Sequence, residues 1–218
     1  MIFTNESLFP YTAQVNAKGN LVLGGCDSVE LASEFGTPLY VFDEITLREK
    51  CREFVGGFRE SYSDSVVIYA CKAFINISLA QLLKEEGLGL DVVSGGELAV
   101  AQRVEFPSDR IYFHGNNKSR EELQMALDYG IGRVVVDNFH EMGLLDGIAS
   151  RKGIIQDVLL RVSPGIDPHT HAYTTTGVLD SKFGFPIQTG QASEAVQKAM
   201  NAKNMNVVGL HFHLGSPV

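Results

Sequence analysis

The sequence predicts an α/β protein built on parallel strands. Six short β-branched runs alternate with helical patterns, glycines fall just past the apolar runs, and no motif recurs at a fixed period. Alternation of this kind requires right-handed helical crossovers between parallel strands, arranged as an open doubly wound sheet or as a (β/α)8 barrel. Pattern alone leaves both open.

The first 43 residues read differently from the rest. A short apolar run at Asn20 to Leu23 and a short helix near Val29 to Phe35 precede the apolar Pro38-Leu39-Tyr40-Val41-Phe42. A long helix is expected from Glu44 to about Arg59. Residues 1–43 therefore form one segment, belonging to another layer, and 44–218 the alternating unit. The strands are expected at Val66 to Ala70, Leu88 to Val93, Arg110 to Phe113, Arg133 to Val136, Asp157 to Val162 and Val207 to Phe212. Helical periodicity covers Ile75 to Glu86, Gly96 to Val104, Arg120 to Tyr129, His140 to Arg151 and Ala192 to Ala202. Ser119 before an acidic first turn reads as an N-cap, and Gly87 and Gly130 fall where left-handed residues close helices. Ser163 to Gly190 is the one long connection without evident regular structure, and long loops are often functional.

Composition excludes several function classes. The chain of 218 residues carries 26 acidic and 18 basic side chains, a formal charge of −8, so a phosphate-backbone-binding face and a nucleic-acid partner are not expected. Its apolar runs are far shorter than the roughly 20 residues a membrane helix needs, and the start shows no basic segment followed by an apolar stretch. A cytoplasmic protein without a membrane partner is expected. Cys26, Cys51 and Cys71 are odd in number and lack metal-like spacing, which suits reduced thiols.

In a parallel α/β arrangement the ligand lies beyond the carboxyl ends of the strands, and those ends are polar here. They carry Lys72; Ser94-Gly95-Gly96-Glu97 after Asp91; His114-Gly115-Asn116-Asn117-Lys118; Asp137-Asn138; Arg161; and His211-Phe212-His213-Leu214-Gly215-Ser216. Lys72 shares its period-2 face with Val66, Ile68 and Ala70. An amine at the mouth of an apolar interior suits a nucleophile that forms a Schiff base, although a lysine past a strand commonly just reaches for water. Cys71 would face the other side as packing. His211 and His213 share a face, so one of them can present its imidazole to a ligand. His169-Thr170-His171 repeats that spacing, which leaves a two-histidine metal site as the rival, but no Cys, Asp or Glu completes a set of ligands. Arg161 in an apolar strand must pair with an acid or face an anion, and Asp91 is the same case with the opposite sign. Gly215-Ser216 offers backbone N–H groups and a hydroxyl suited to phosphate.

Tyr69-Ala70-Cys71-Lys72-Ala73, Leu90 to Glu97, His114 to Ser119, His169 through Thr176-Gly177 to Ser181-Lys182-Phe183-Gly184, and His211 to Ser216 together resemble the diaminopimelate decarboxylase family, over about residues 36–216. That family belongs to the alanine-racemase-like pyridoxal phosphate enzymes. The resemblance implies a (β/α)8 barrel in preference to an open sheet, of which about six strands are present, and places the N-terminal segment with a β domain. It implies Lys72 as the lysine holding pyridoxal 5'-phosphate, His213 stacked on its ring, Gly215 and Ser216 on its phosphate, and Asp91, Glu97, His114 and Arg161 lining the pocket. The implied reaction is decarboxylation of meso-2,6-diaminopimelate to L-lysine, in a homodimer.

The resemblance also implies two further barrel strands and a C-terminal β domain that supply a Gly-rich phosphate loop, the acid paired with the ring nitrogen, and a Cys and Tyr of the site. The chain is accordingly expected to be a fragment with little activity alone. Two other readings compete: a barrel that binds the cofactor without turnover, which leaves the long Ser163 to Gly190 segment without a purpose, and a metal-dependent hydrolase using His169, His171, His211 and His213.

Overall fold

The structure is a computed structural model that describes residues 8–165 and 182–213. It divides into two compact units, Met1–Val67 and Ile68–Val218. In the first, β1 (Gln14–Val15), β2 (Leu21–Leu23) and β3 (Cys26–Asp27) form an antiparallel sheet that leads into α1 (Ser28–Phe35) and α2 (Glu44–Ser61). One carboxylate organises this start. Asp27 accepts from the side-chain amides of Asn16 and Asn20 at 2.7 and 2.9 Å, and from the Val29 N–H at 2.9 Å as the N-cap of α1. The apolar Pro38–Phe42 run takes no regular structure.

The second unit contains β4 (Ile68–Ala70), α3 (Ile77–Glu85), β5 (Gly89–Val92), α4 (Gly95–Arg103), β6 (Ile111–Phe113), α5 (Arg120–Tyr129), β7 (Arg133–Val136), α6 (Phe139–Lys152), β8 (Gln156–Ser163), β9 (Phe185–Pro186), α7 (Gln191–Asn201) and β10 (Met205–His211). The six expected strands and five expected helices are all present to within a few residues. β9 is additional. It lies in the connection read as irregular, pairs with Val162 and Ser163 of β8, and is too short to show a period.

Strand order decides the architecture. The parallel strands run β4-β5-β6-β7-β8-β10 in chain order, without the reversal that marks a doubly wound sheet. This is an incomplete (β/α)8 barrel with β4 and β10 at its two edges. Among the described residues, no helix is long and apolar enough to cross a membrane.

The two faces of the sheet have opposite characters. Register places Leu90 beside Ile111, Val92 beside Phe113, and Val134 beside both Phe113 and Val158. All six, with Val136 and Leu160, are at most 1% exposed beneath α3 to α6, whose Leu83, Leu98, Leu123, Leu145 and Ile148 fill the other side of this core. Leu210 pairs with Leu160 on the same face yet is 59% exposed, so helical cover ends at β10. The opposite face carries Asp91, Tyr112 and Arg133 in one register row and Arg161 beside His211 in another.

Local chemistry starts the helices close to the strand ends. Asn76, Ser94, Ser119 and Asn138 cap α3 to α6 with their side chains, and Ser119 and Glu122 complete a capping box. Gly130 closes α5 in the left-handed conformation (φ 71°). The next turn is closer still: the Gly132 N–H donates to the Ser108 carbonyl at 2.7 Å, and a Cβ at Gly132 would lie 2.2 Å from the Asp109 carbonyl oxygen. Gly132→Ala is therefore expected to cost about 3 kcal/mol or more, because backbone must move to admit the methyl group. Urea unfolding measures this, and a loss under about 1 kcal/mol would show that the turn yields easily.

Candidate active site

The carboxyl ends of the strands enclose a cavity of about 340 Å³, lined by Lys72, Asp91, Val93, His114, Gly115, Asn116, Arg161, Phe183, His211 and His213. Five residues singled out in the sequence, Lys72, Asp91, His114, Arg161 and His213, thus come together from β4, β5, β6, β8 and β10. Lys72 arrives by an unexpected route: β4 stops at Ala70, and Cys71–Ala73 form a 3-10 turn that carries the lysine. Cys71 is 2% exposed, and burial pushes its thiol up to about 12.

Glu97 does not line the cavity. Its Oε2 accepts the Val93 N–H at 2.7 Å, which ties the first turn of α4 to the end of β5. Gly215, Ser216, His169 and His171 lie outside the described residues. Among the described residues, no group of three or more His, Cys, Asp or Glu could hold a metal ion.

The wall is polar and poorly hydrated. Burial raises Asp91 to about 7, with Lys72 opposing the shift and Glu97 adding to it. Burial also drives His114 down to about 2 and His211 down to about 4, reinforced by Arg161 in both cases. His114 Nε2 lies 3.6 Å from Asp91 Oδ1, and its ring meets that of His211 edge-on at 4.5 Å. Because the imidazole is uncharged at neutral pH, this contact is not an ion pair. Asp91 Oδ1 and His211 Nδ1 are both buried without a hydrogen-bond partner. Buried polar atoms are ordinarily paired, so these two can accept a polar ligand.

Asp91 yields a pH-dependent prediction. Its folded pKa stands above its ordinary 3.8, so keeping it ionised costs nothing below about pH 4 and the full amount above about pH 7. Asp91→Asn is expected to raise the stability of the ligand-free chain at pH 8 by on the order of 1–2 kcal/mol, and to leave it unchanged at pH 4. Equal gains at both pH values, measured by thermal unfolding, would rule out ionisation as the cause.

Arg161 is 8% exposed, places NH1 3.5 Å from Asp137 Oδ1, and lies 4.3 Å over the Phe183 ring. Behind it, Lys118 and Glu141 form a second buried pair at 3.0 Å. Sequence reading passed over Asp137 and Glu141 as site residues. Glu141 lies in the first turn of α6, where an acid reads as a favourable exposed residue, but it is 2% exposed.

The family described as pyridoxal-dependent decarboxylase, pyridoxal binding domain, matches residues 46–218. The chain belongs to the pyridoxal-dependent decarboxylases. Among members of this decarboxylase family, it is 53% identical to the diaminopimelate decarboxylase of Bacillus methanolicus over 96% of the chain and 49% of the relative. It is 48% identical to that of Bacillus subtilis over 95% of the chain and 47% of the relative. The crystal structure of diaminopimelate decarboxylase from M. jannaschii in complex with L-lysine superimposes with a TM-score of 0.85 at 35% identity, covering 95% of this chain and 49% of that one. The chain spans about half the length of the decarboxylases it matches.

The family implies pyridoxal phosphate, and the residues present fit it. An aldehyde-bearing, anionic aromatic ring finds a lysine amine, imidazole faces, a guanidinium and two unpaired buried polar atoms in one cavity. The cavity volume lies within the range of roughly 300–1,000 Å³ usual for small-molecule sites.

Proposed function

We propose that the chain is the cofactor-binding half of a diaminopimelate decarboxylase, which removes a carboxyl group from meso-2,6-diaminopimelate as carbon dioxide and leaves L-lysine. The observation that carries this reading is the convergence of Lys72, Asp91, His114, Arg161 and His213 on one cavity. Pyridoxal phosphate, when bound, supplies an electron-withdrawing ring that accepts the electrons of the broken carbon–carboxyl bond.

The chain's own residues do the rest. Lys72 would offer the amine that holds the cofactor. His213 would orient the ring, and Gly215 and Ser216 would take the phosphate. Arg161, fixed by Asp137 and stacked on Phe183, sets the positive potential of the cavity for an anionic ligand. Neutral His114 and the elevated Asp91 give the wall polar groups that can hydrogen-bond a ligand, instead of two opposed charges. Glu97 acts at one remove through the Val93 N–H. Residues 1–43 belong with the β domain of the whole enzyme, which is a cytoplasmic homodimer. The chain spans about half the length of its relatives and is expected to have little turnover alone, and the exposed Leu210 and the edges at β4 and β10 are an aggregation liability.

A fusion of this chain to the C-terminal half of the Bacillus methanolicus relative tests the proposal. It is expected to release L-lysine from meso-diaminopimelate and to leave L-ornithine and L-arginine untouched. Faster turnover of either alternative would overturn the substrate assignment.

A further inference from the structure

A buried lysine amine sits behind the cavity with no evident part in the chemistry. The Lys118 side chain is 1% exposed. Its ammonium donates to the Gly115 carbonyl at 2.7 Å and the Val135 carbonyl at 2.9 Å, and forms an ion pair with Glu141 Oε1 at 3.0 Å. These acceptors belong to the turn after β6, to β7 itself and to the first turn of α6.

The acceptors also frame the cavity. Between His114 and Lys118 the chain turns sharply through Gly115 at φ 105°, where a Cβ would stand 3.4 Å from the Val93 carbonyl. His114 and Asn116, on either side of that glycine, both line the cavity. The turn is held at two further points, by Asn138 Nδ2 donating to the Asn116 carbonyl at 3.3 Å and by Asn116 Nδ2 donating to the Lys182 carbonyl at 3.2 Å. Asp137, which pairs with Arg161, lies between the Val135 carbonyl and the α6 turn that Lys118 joins. Burial of both charges is costly. A packed apolar pair of similar volume would link β7 to α6 more cheaply, but it would leave the Gly115 carbonyl without its donor.

We propose that Lys118 is a positioning residue: its three-way clamp sets the His114–Asn116 turn against β7 and α6, and so holds one wall of the cavity in the geometry that receives the cofactor. The last clause rests on the cofactor reading above; the clamp itself does not.

Lys118→Met alone strands a buried carboxylate and can simply unfold the chain, so the informative variant is Lys118→Met with Glu141→Leu. Two measurements on the 218-residue chain separate the possibilities. Amide hydrogen exchange of residues 114–117 is expected to accelerate at least 10-fold in the double variant while the melting temperature stays within a few degrees. Absorbance titration with pyridoxal phosphate is expected to show an apparent Kd raised at least 10-fold. Unchanged exchange in that turn overturns the clamp, whatever the titration shows. Faster exchange with unchanged affinity overturns the proposal that the clamp serves the cofactor. A wild-type chain that binds no pyridoxal phosphate refutes the cofactor reading and with it that final clause, while the exchange result still decides the clamp.

Discussion

Lys72→Ala is expected to remove all borohydride-fixed pyridoxal phosphate from the chain and, in a fusion completed with a relative's C-terminal half, to lower decarboxylation on the order of 10³-fold or more. Lys72 is the one amine among the described residues that line the cavity. Cys71 points into packing with its thiol pushed up to about 12, and Lys118 is engaged with two carbonyls and the Glu141 carboxylate. The readout is peptide mapping after reduction with borohydride, in the wild type and the variant. A label that persists in Lys72→Ala, or that maps elsewhere in the wild type, defeats the assignment.

The second large effect is expected at Arg161. Arg161→Met leaves the Asp137 carboxyl, 3% exposed, without its cation and removes the stack on Phe183. Removing one partner of a buried pair typically costs about 3–5 kcal/mol, because the remaining charge stays desolvated. Burial already raises Asp137 above its ordinary carboxyl value, and Arg161 opposes that rise. Loss of the guanidinium lifts it further, so the penalty must be larger at pH 8 than at pH 4, where the carboxyl is closer to neutral in both folded and unfolded chains. Adding Asp137→Leu should recover most of the stability but none of the cofactor affinity. Urea unfolding of the single and double variants checks this, and a single-variant loss below about 1 kcal/mol would show that Asp137 does not depend on the arginine.

The legible part of the fold lay in features that span a few residues. β-branched runs marked six of the seven described parallel strands, β9 being the exception, and Ser119 before the acidic first turn marked the start of α5. Caps of this kind are readable because donor and acceptor are at most three residues apart. The polar strand ends were readable for a related reason: parallel strands with helical crossovers must all point one way, so their carboxyl ends must meet. The boundary of β4 was less legible, since nothing local says that Lys72 sits in a 3-10 turn and not on the strand. Glu97 and Glu141 were harder again. Each is an acid in the first turn of a helix, yet one bonds to the end of β5 and the other to a buried lysine.

The amino-acid order by itself determined the strand and helix inventory, the residues at the strand ends and the likeness to a family of pyridoxal enzymes, because each of these depends on local pattern. Tertiary structure alone decided that the strands follow one another without reversal, that His114 stands against Asp91 and His211, and that Lys118, Glu141, Asp137 and Arg161 lie buried behind the cavity wall. The reason is that burial and charge pairing depend on which distant segments become neighbours. That is a property of strand order and register, and it leaves no periodic trace along the chain.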